Sequence, residues 1–252
     1  MSGDVVNDFL KTFGRAPDEL FEGEKEFIED WHKDYNTDRH HAFEIQKEEC
    51  ALIVVDLQND FVAPNSPIWV PEALRQIPRN KRLIEAARRL GVPVIYTAHT
   101  FNADCYADFR EFSDAHRDGA LIEGSKGTQI YPEVSPEEGE RVIDSKHNYD
   151  AFAGTDLDYV LRDHGTKTCV ICGTVTNFCC ESTARSAYFK NYHVVFVEDC
   201  VSSDNPYAHE STIRTLRRGF ARVLKSDELI NIWSEGDDLY AKARKAREAG
   251  QY

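Results

Sequence analysis

Five short apolar runs recur along the chain, each closing on a polar residue or a glycine and separated from the next by enough residues for a helix. They are Ala51–Asp56 (ALIVVD), Val92–Thr97 (VPVIYT), Arg141–Ser145 (RVIDS), the run from Thr168 to Gly173 (TCVICG), and Val194–Glu198 (VVFVE). Runs without polar alternation are strands buried on both faces, which a parallel sheet covered by helices provides. Pro71–Leu90 reads as helical, in two pieces, because Pro78 breaks a helix but suits the first turn of a new one. Gly91 stops it, Asp156–His164 and Ala208–Gly219 supply further helices, and Ala221–Leu224 is a last short strand. The expected architecture is α/β: a Rossmann-like, doubly wound, mostly parallel sheet flanked by helices.

That domain is expected over residues 49–230, with an acidic helical N-terminal extension over 1–48 and a charged helical tail over 231–252. In the extension Leu20, Phe21, Phe27, Ile28 and Trp31 recur at helical spacing, predicting one or two amphipathic helices that pack on the domain or on a neighbouring subunit. A formal net charge of −14 argues against nucleic acid or an anionic membrane as the main partner. No apolar run is long enough to span a bilayer and residues 1–30 lack a signal-peptide core, so a cytoplasmic location is expected. Most of the seven cysteines lie in or beside strand-like runs, which is thiol usage in a reducing compartment. Cys169 and Cys172, three apart on a strand, point to opposite faces and read as structural, not as a metal or redox pair.

In an open α/β sheet ligands bind at the carboxyl ends of the strands. Three residues of complementary chemistry fall there: Asp56 closing the first run, Lys146 after the third, and Cys179 in the turn after the fourth. The segment Glu181–Tyr188 reads as a helix, placing Cys179 at its first turn, where unpaired N–H groups and the helix dipole favour a thiolate. A lysine beside it favours the same charge and holds a nearby carboxylate ionised, so that Asp56 can take up a proton.

The stretch GTVTNFCCEST resembles the nucleophile turn of the isochorismatase-like cysteine hydrolases, among them nicotinamidase and the N-carbamoylsarcosine, biuret and ureidoacrylate hydrolases, in which a small-residue turn leads into N-x-C-V-E-S-T. ALIVVDLQNDF resembles that family's first motif, and KHNYDAFAGTDL its lysine motif. The resemblance spans roughly residues 49–229. It implies that Cys179 is the nucleophile, that Asp56 and Lys146 complete a triad, and that the Thr174–Val175 peptide is cis. It further implies that the N–H groups of Val175 and Cys179 form an oxyanion hole, and that the protein is a homo-oligomer, a dimer or tetramer. Cys180 stands where relatives usually carry Val.

Related nicotinamidases carry D-x-H followed by a further His that bind a divalent metal. Here the residues are Thr97-Ala98-His99, with His116 downstream, and the departure argues against a metal and against a nicotinamidase. No metal or organic cofactor is expected. Phe61, Trp69, His99 and Tyr149 are candidates for the substrate pocket, with Tyr106 and Phe112 in the variable segment 99–127. His40-His41 reads as an ordinary surface pair, and Asp199, His209 and Glu210 as structural. No GxGxxG or GxxxxGK[ST] is present, so nucleotide binding is unsupported. The expected activity is cysteine-dependent hydrolysis of a C–N bond in a small amide, carbamoyl or ureido compound. The alternatives are an isochorismatase-type vinyl ether hydrolase, whose chemistry needs no thiol, and a non-catalytic binding protein on the same fold.

Overall fold

The apolar runs form strands in a computed structural model that describes residues 5–34, 43–101, 119–236, 238, 241, 242, 245, 246 and 249. The strands are β1 (Cys50–Val55), β2 (Val94–His99), β3 (Arg141–Lys146), β4 (Thr168–Thr174), β5 (His193–Ser202) and β6 (Arg222–Leu224). The helices are α1 (Val5–Thr12), α2 (Glu24–Asp34), α3 (Asn59–Val62), α4 (Pro71–Leu90), α5 (Leu157–Asp163), α6 (Glu181–Phe189), α7 (Pro206–Gly219) and α8 (Ser226–Glu235). All six strands pair in parallel in the order β3-β2-β1-β4-β5-β6. The order reverses between β1 and β4, and that crevice is where an open sheet of this kind takes its ligand.

Period-two alternation divides the core into two layers. Leu52, Val54, Tyr96, Val170, Cys172, Val195 and Val197 face α4 and α8, while Ala51, Ile53, Val55, Ile95, Cys169, Ile171 and Phe196 face α5, α6 and α7. Cys169 and Cys172 accordingly belong to opposite layers, and burial pushes both thiols far up.

One expectation is corrected. Helix α4 is one continuous 20-residue helix with Pro78 inside it. Its inner face, Ala73, Ile77, Leu83, Ile84 and Ala87, is buried along both halves, and that packing outweighs the lost backbone bond. Beside the proline, buried Asn80 donates its side-chain amide to the Gln76 carbonyl. In the extension, α1 and α2 bury Val6, Leu10 and Ile28 against each other, but Phe21 and Phe27 turn outward, 79% and 59% exposed. Phe27 is adjacent to Ile28 and lies about 100° from it around the helix, so only one of the two can face inward. The side chain of Trp31, the His40-His41 pair, Tyr106, Phe112 and His116 lie outside the described residues.

The edge strand β6 is tied to both flanks of the domain. Arg222 grips Asp238 through two hydrogen bonds of 2.8 and 3.0 Å and donates to the Phe43 carbonyl at 2.7 Å, while Asp238 accepts the Ile45 N–H. Burial alone would raise the Asp238 carboxyl, but the Arg222 contacts outweigh it and hold the group below its ordinary value. Stability from a lowered carboxyl is complete above the unfolded value, about pH 4, and is lost as pH falls through the folded one. Asp238→Asn is expected to cost about 3 kcal/mol at pH 7, because it leaves Arg222 buried without its carboxylate. The gap to the parent protein should close below pH 4, which denaturant titrations across pH will show.

Gly173, opposite Val55 in the β1–β4 ladder, holds φ at 119°, and a Cβ there would lie 2.0 Å from the Val55 carbonyl oxygen. Gly173→Ala is expected to destabilise the protein by roughly 2–5 kcal/mol, combining a forbidden φ with a backbone clash. The denaturation midpoint measures it.

Candidate active site

The site grows from the carboxyl ends of β1, β3 and β4, with β2 lying between the first two. Asp56 follows β1 in a left-handed conformation, φ 49°, which an aspartate tolerates. Its N–H is held by the Thr97 carbonyl and hydroxyl, both at 3.2 Å, and its Oδ1 accepts the Thr97 hydroxyl at 2.5 Å. Lys146 is the last residue of β3, opposite His99 in the ladder, so its ammonium enters from the far side of β2. Lys146 Nζ lies 2.6 Å from Asp56 Oδ2 and 3.5 Å from Cys179 Sγ. All three residues are buried: Asp56 and Lys146 are 0% exposed and Cys179 2%.

Cys179 lies in a π-helical turn, Thr176–Cys180, that precedes α6, and the Thr174–Val175 peptide before it is cis. The expectation of a thiolate stabilised at a helix's first turn is therefore corrected. Burial is the largest influence on the thiol and pushes it well above its ordinary value; Lys146 pulls it down, and Asp56 pushes it up by its charge and by hydrogen bonding the thiol. Lys146 shows the reverse balance: burial would lower it, but the charge of Asp56 and the hydrogen bond to it outweigh that and raise it. The resting arrangement is an Asp–Lys ion pair with a protonated thiol against it.

Neighbouring elements brace the turn. Glu181, at the start of α6, accepts Arg185 at 2.7 Å and the Thr212 hydroxyl at 2.7 Å. Thr183 accepts the Ala151 N–H, and Ser186 donates to Asp150, joining α6 to the segment after Lys146. His209 Nδ1 lies 2.9 Å from the Thr176 hydroxyl, outside the Asp56–Lys146–Cys179 group, and burial lowers its pKa. Asp199 accepts the N–H and hydroxyl of Ser226 at the start of α8, and Glu210 pairs with Arg214 on α7.

A cavity of about 430 Å³ opens over Cys179, within the size range of small-molecule sites. Phe61, Trp69, His99, Tyr149 and Val175, all singled out in the sequence, share its wall with Cys179. Phe178 and Asp204 were missed, although an aromatic residue immediately before the nucleophile turn's cysteine is a visible signal for the first. Thr97 was noticed only as a departure from D-x-H; its signal was a hydroxyl in an otherwise apolar buried strand. Gln58, also missed, clamps the His99 backbone through N–H and carbonyl, at 2.8 and 2.9 Å, and reaches the Thr128 carbonyl.

Among the described residues, donor atoms of Asp56, His99 and Cys179 lie within 4.8 Å of one another, a set that could be read as a metal site. The set does not fit a divalent ion well. Both Asp56 oxygens are engaged, by Thr97 and Lys146, and the Lys146 ammonium occupies the space beside Asp56 and Cys179 that the ion would need.

Opposing influences on one thiol give variants of opposite sign. Lys146→Met should slow alkylation of Cys179 at pH 8 by about tenfold or more, since a favourable charge is lost. Asp56→Asn should speed it, because an unfavourable charge is removed while the lysine remains. Pseudo-first-order rates with iodoacetamide across pH test both.

Comparison with known proteins follows the same residues. The isochorismatase domain profile matches residues 50–228. Nicotinamidase 3 of Arabidopsis thaliana is 31% identical over 180 residues, 71% of this chain and 86% of the relative. A ureidoacrylate amidohydrolase of Azorhizobium caulinodans is 28% identical over 210 residues, covering 70% and 92% of the two chains. The crystal structure of a cysteine hydrolase from Pseudomonas syringae pv. phaseolicola 1448A superposes with a TM-score of 0.71 at 27% identity, over 76% of this chain and 95% of that one. The profile match over most of the chain, on the fold that carries Asp56, Lys146 and Cys179 to one sheet edge, shows that the chain belongs to the isochorismatase family.

Proposed function

We propose that Cys179 is the nucleophile of a hydrolase that cleaves a C–N bond in a small amide, carbamoyl or ureido compound through a thioester intermediate. The observation that carries this reading is the buried contact of Lys146 with both Asp56, at 2.6 Å, and Cys179, at 3.5 Å, beneath a cavity that Cys179 itself lines. Relatives named as a nicotinamidase and an amidohydrolase support the reaction class.

A thiol pushed up by burial needs a base at the moment of attack, and Asp56 is the acceptor in contact with it. Asp56 takes the thiol proton as sulfur attacks the carbonyl carbon. The oxyanion is held by the N–H groups of Val175 and Cys179. Asp56 returns its proton to the departing nitrogen, the C–N bond breaks, and the thioester remains. Water then gives a proton to Asp56 and its hydroxyl to the acyl carbon, releasing the acid and restoring the thiol. Lys146 keeps the carboxylate and the developing thiolate in a balanced field throughout.

Cys179→Ala should lower turnover at least about 10³-fold on any substrate, with the fold unchanged. Ammonia release from biuret, N-carbamoyl amino acids, ureidoacrylate, maleamate and nicotinamide, with hydroxylamine trapping of the acyl group, measures it. Substantial turnover by the alanine variant, or pyruvate release from isochorismate that persists in it, would overturn the thioester route.

A further inference from the structure

The wall of the cavity over Cys179 carries a charge pattern that bears on substrate choice, given the reading of Cys179 as nucleophile. Phe61, Trp69, Tyr149 and Phe178 present aromatic surface, and Trp69, Tyr149 and Phe178 are 36%, 41% and 43% exposed, so that they border the open part of the site. Tyr149 and Phe178 sit with ring centroids 5.2 Å apart at a 42° tilt, two panels of one wall. Asp204 brings a carboxylate to the same cavity, and among the described residues the wall holds no Lys or Arg. Lys146, which contacts Cys179, is buried and committed to Asp56.

Asp204 is placed by the turn that carries the nucleophile. It follows β5 in the segment 203–205, where the Ser203 hydroxyl lies 2.7 Å from Asn177 Oδ1 of the π-turn and 3.3 Å from Asp204 Oδ1. The Asn205 N–H closes on the same hydroxyl at 3.1 Å. Among the described residues Asp204 forms no ion pair.

We propose that the non-reacting end of the substrate is cationic, an ammonium or similar group held against the aromatic wall and by Asp204. Aromatic faces attract such a group through the ring quadrupole, and a carboxylate at the rim adds a direct charge contact. The chain's formal charge of −14 raises the local concentration of cations and lowers that of anions. A substrate with a carboxylate, as in ureidoacrylate, meets the Asp204 charge with no counter-ion from the described wall.

Three amides of similar size isolate the charge: betaine amide, its neutral isostere 3,3-dimethylbutanamide, and the anion malonamate. Their equilibrium binding is measured calorimetrically on full-length Cys179→Ala protein, and their kcat/KM on the parent enzyme. Betaine amide should bind at least about tenfold more tightly than the neutral isostere, with malonamate weakest, and the cation-to-neutral ratio should fall about fivefold in Asp204→Asn. Equal binding of cation and isostere, a preference for malonamate, no saturable binding of betaine amide, or a ratio unmoved by Asp204→Asn would each overturn the proposal. The two readings fail separately. Thiol-dependent hydrolysis that favours malonamate removes the cationic end and keeps the cysteine; cation-selective binding without Cys179-dependent turnover of any amide removes the cysteine and keeps the cationic pocket.

Discussion

The ion pair between Asp56 and Lys146, wholly withdrawn from water, is the interaction on which the rest of the arrangement turns. An unpaired charge in such a place costs several kcal/mol, so removing either residue leaves the other at a cost in stability. They come from strands that are not neighbours: β2 lies between β1 and β3, and it contributes the Thr97 hydroxyl to the carboxylate. The pair therefore requires the register of three strands at once. A slip of one residue would turn Asp56 to the opposite face of the sheet and leave a buried ammonium alone.

The same surroundings explain why Cys179 rests as a thiol. A helix dipole is a modest influence, felt within the first turn, whereas complete burial acts on the whole charge of the sulfur. Lys146 alone would favour the thiolate, but its charge is already partly answered by Asp56. The outcome is a site in which Lys146 is paired with Asp56 and the sulfur beside them stays protonated. A carbon–nitrogen hydrolase of this construction is protected from adventitious thiol chemistry while it waits.

Much of this was legible in the sequence, and the parts that were share a cause. Strands buried on both faces leave unbroken apolar runs, so Asp56 closing the first, Lys146 just after the third and Cys179 in the turn after the fourth could be placed on one edge. Phe61, Trp69, His99 and Tyr149 were found because aromatic residues beside those edges are conspicuous. What escaped depends on neighbours distant in sequence. Thr97 has meaning only through its register with Val55, Asp204 only because Ser203 touches the π-turn, and Pro78 only because both halves of α4 have a sheet to pack on. Phe21 and Phe27 fit a helical stripe as well as Ile28 does, and only the position of α1 selects among them. The limits of the extension and tail as separate units rest on composition alone.

The Arg222–Asp238 contact closes the chain on itself. One guanidinium holds residue 43, before β1, and residue 238, after α8, so the intervening polypeptide is a loop fastened at its neck without a covalent bond. Unlike a covalent cross-link, it forms only in the folded chain and leaves the open chain unrestricted, so it must offset the closure of the whole loop by its own strength, which varies with proton concentration instead of redox state. Fraying at either end removes a partner from the same arginine, so the amino-terminal and carboxyl-terminal boundaries loosen together.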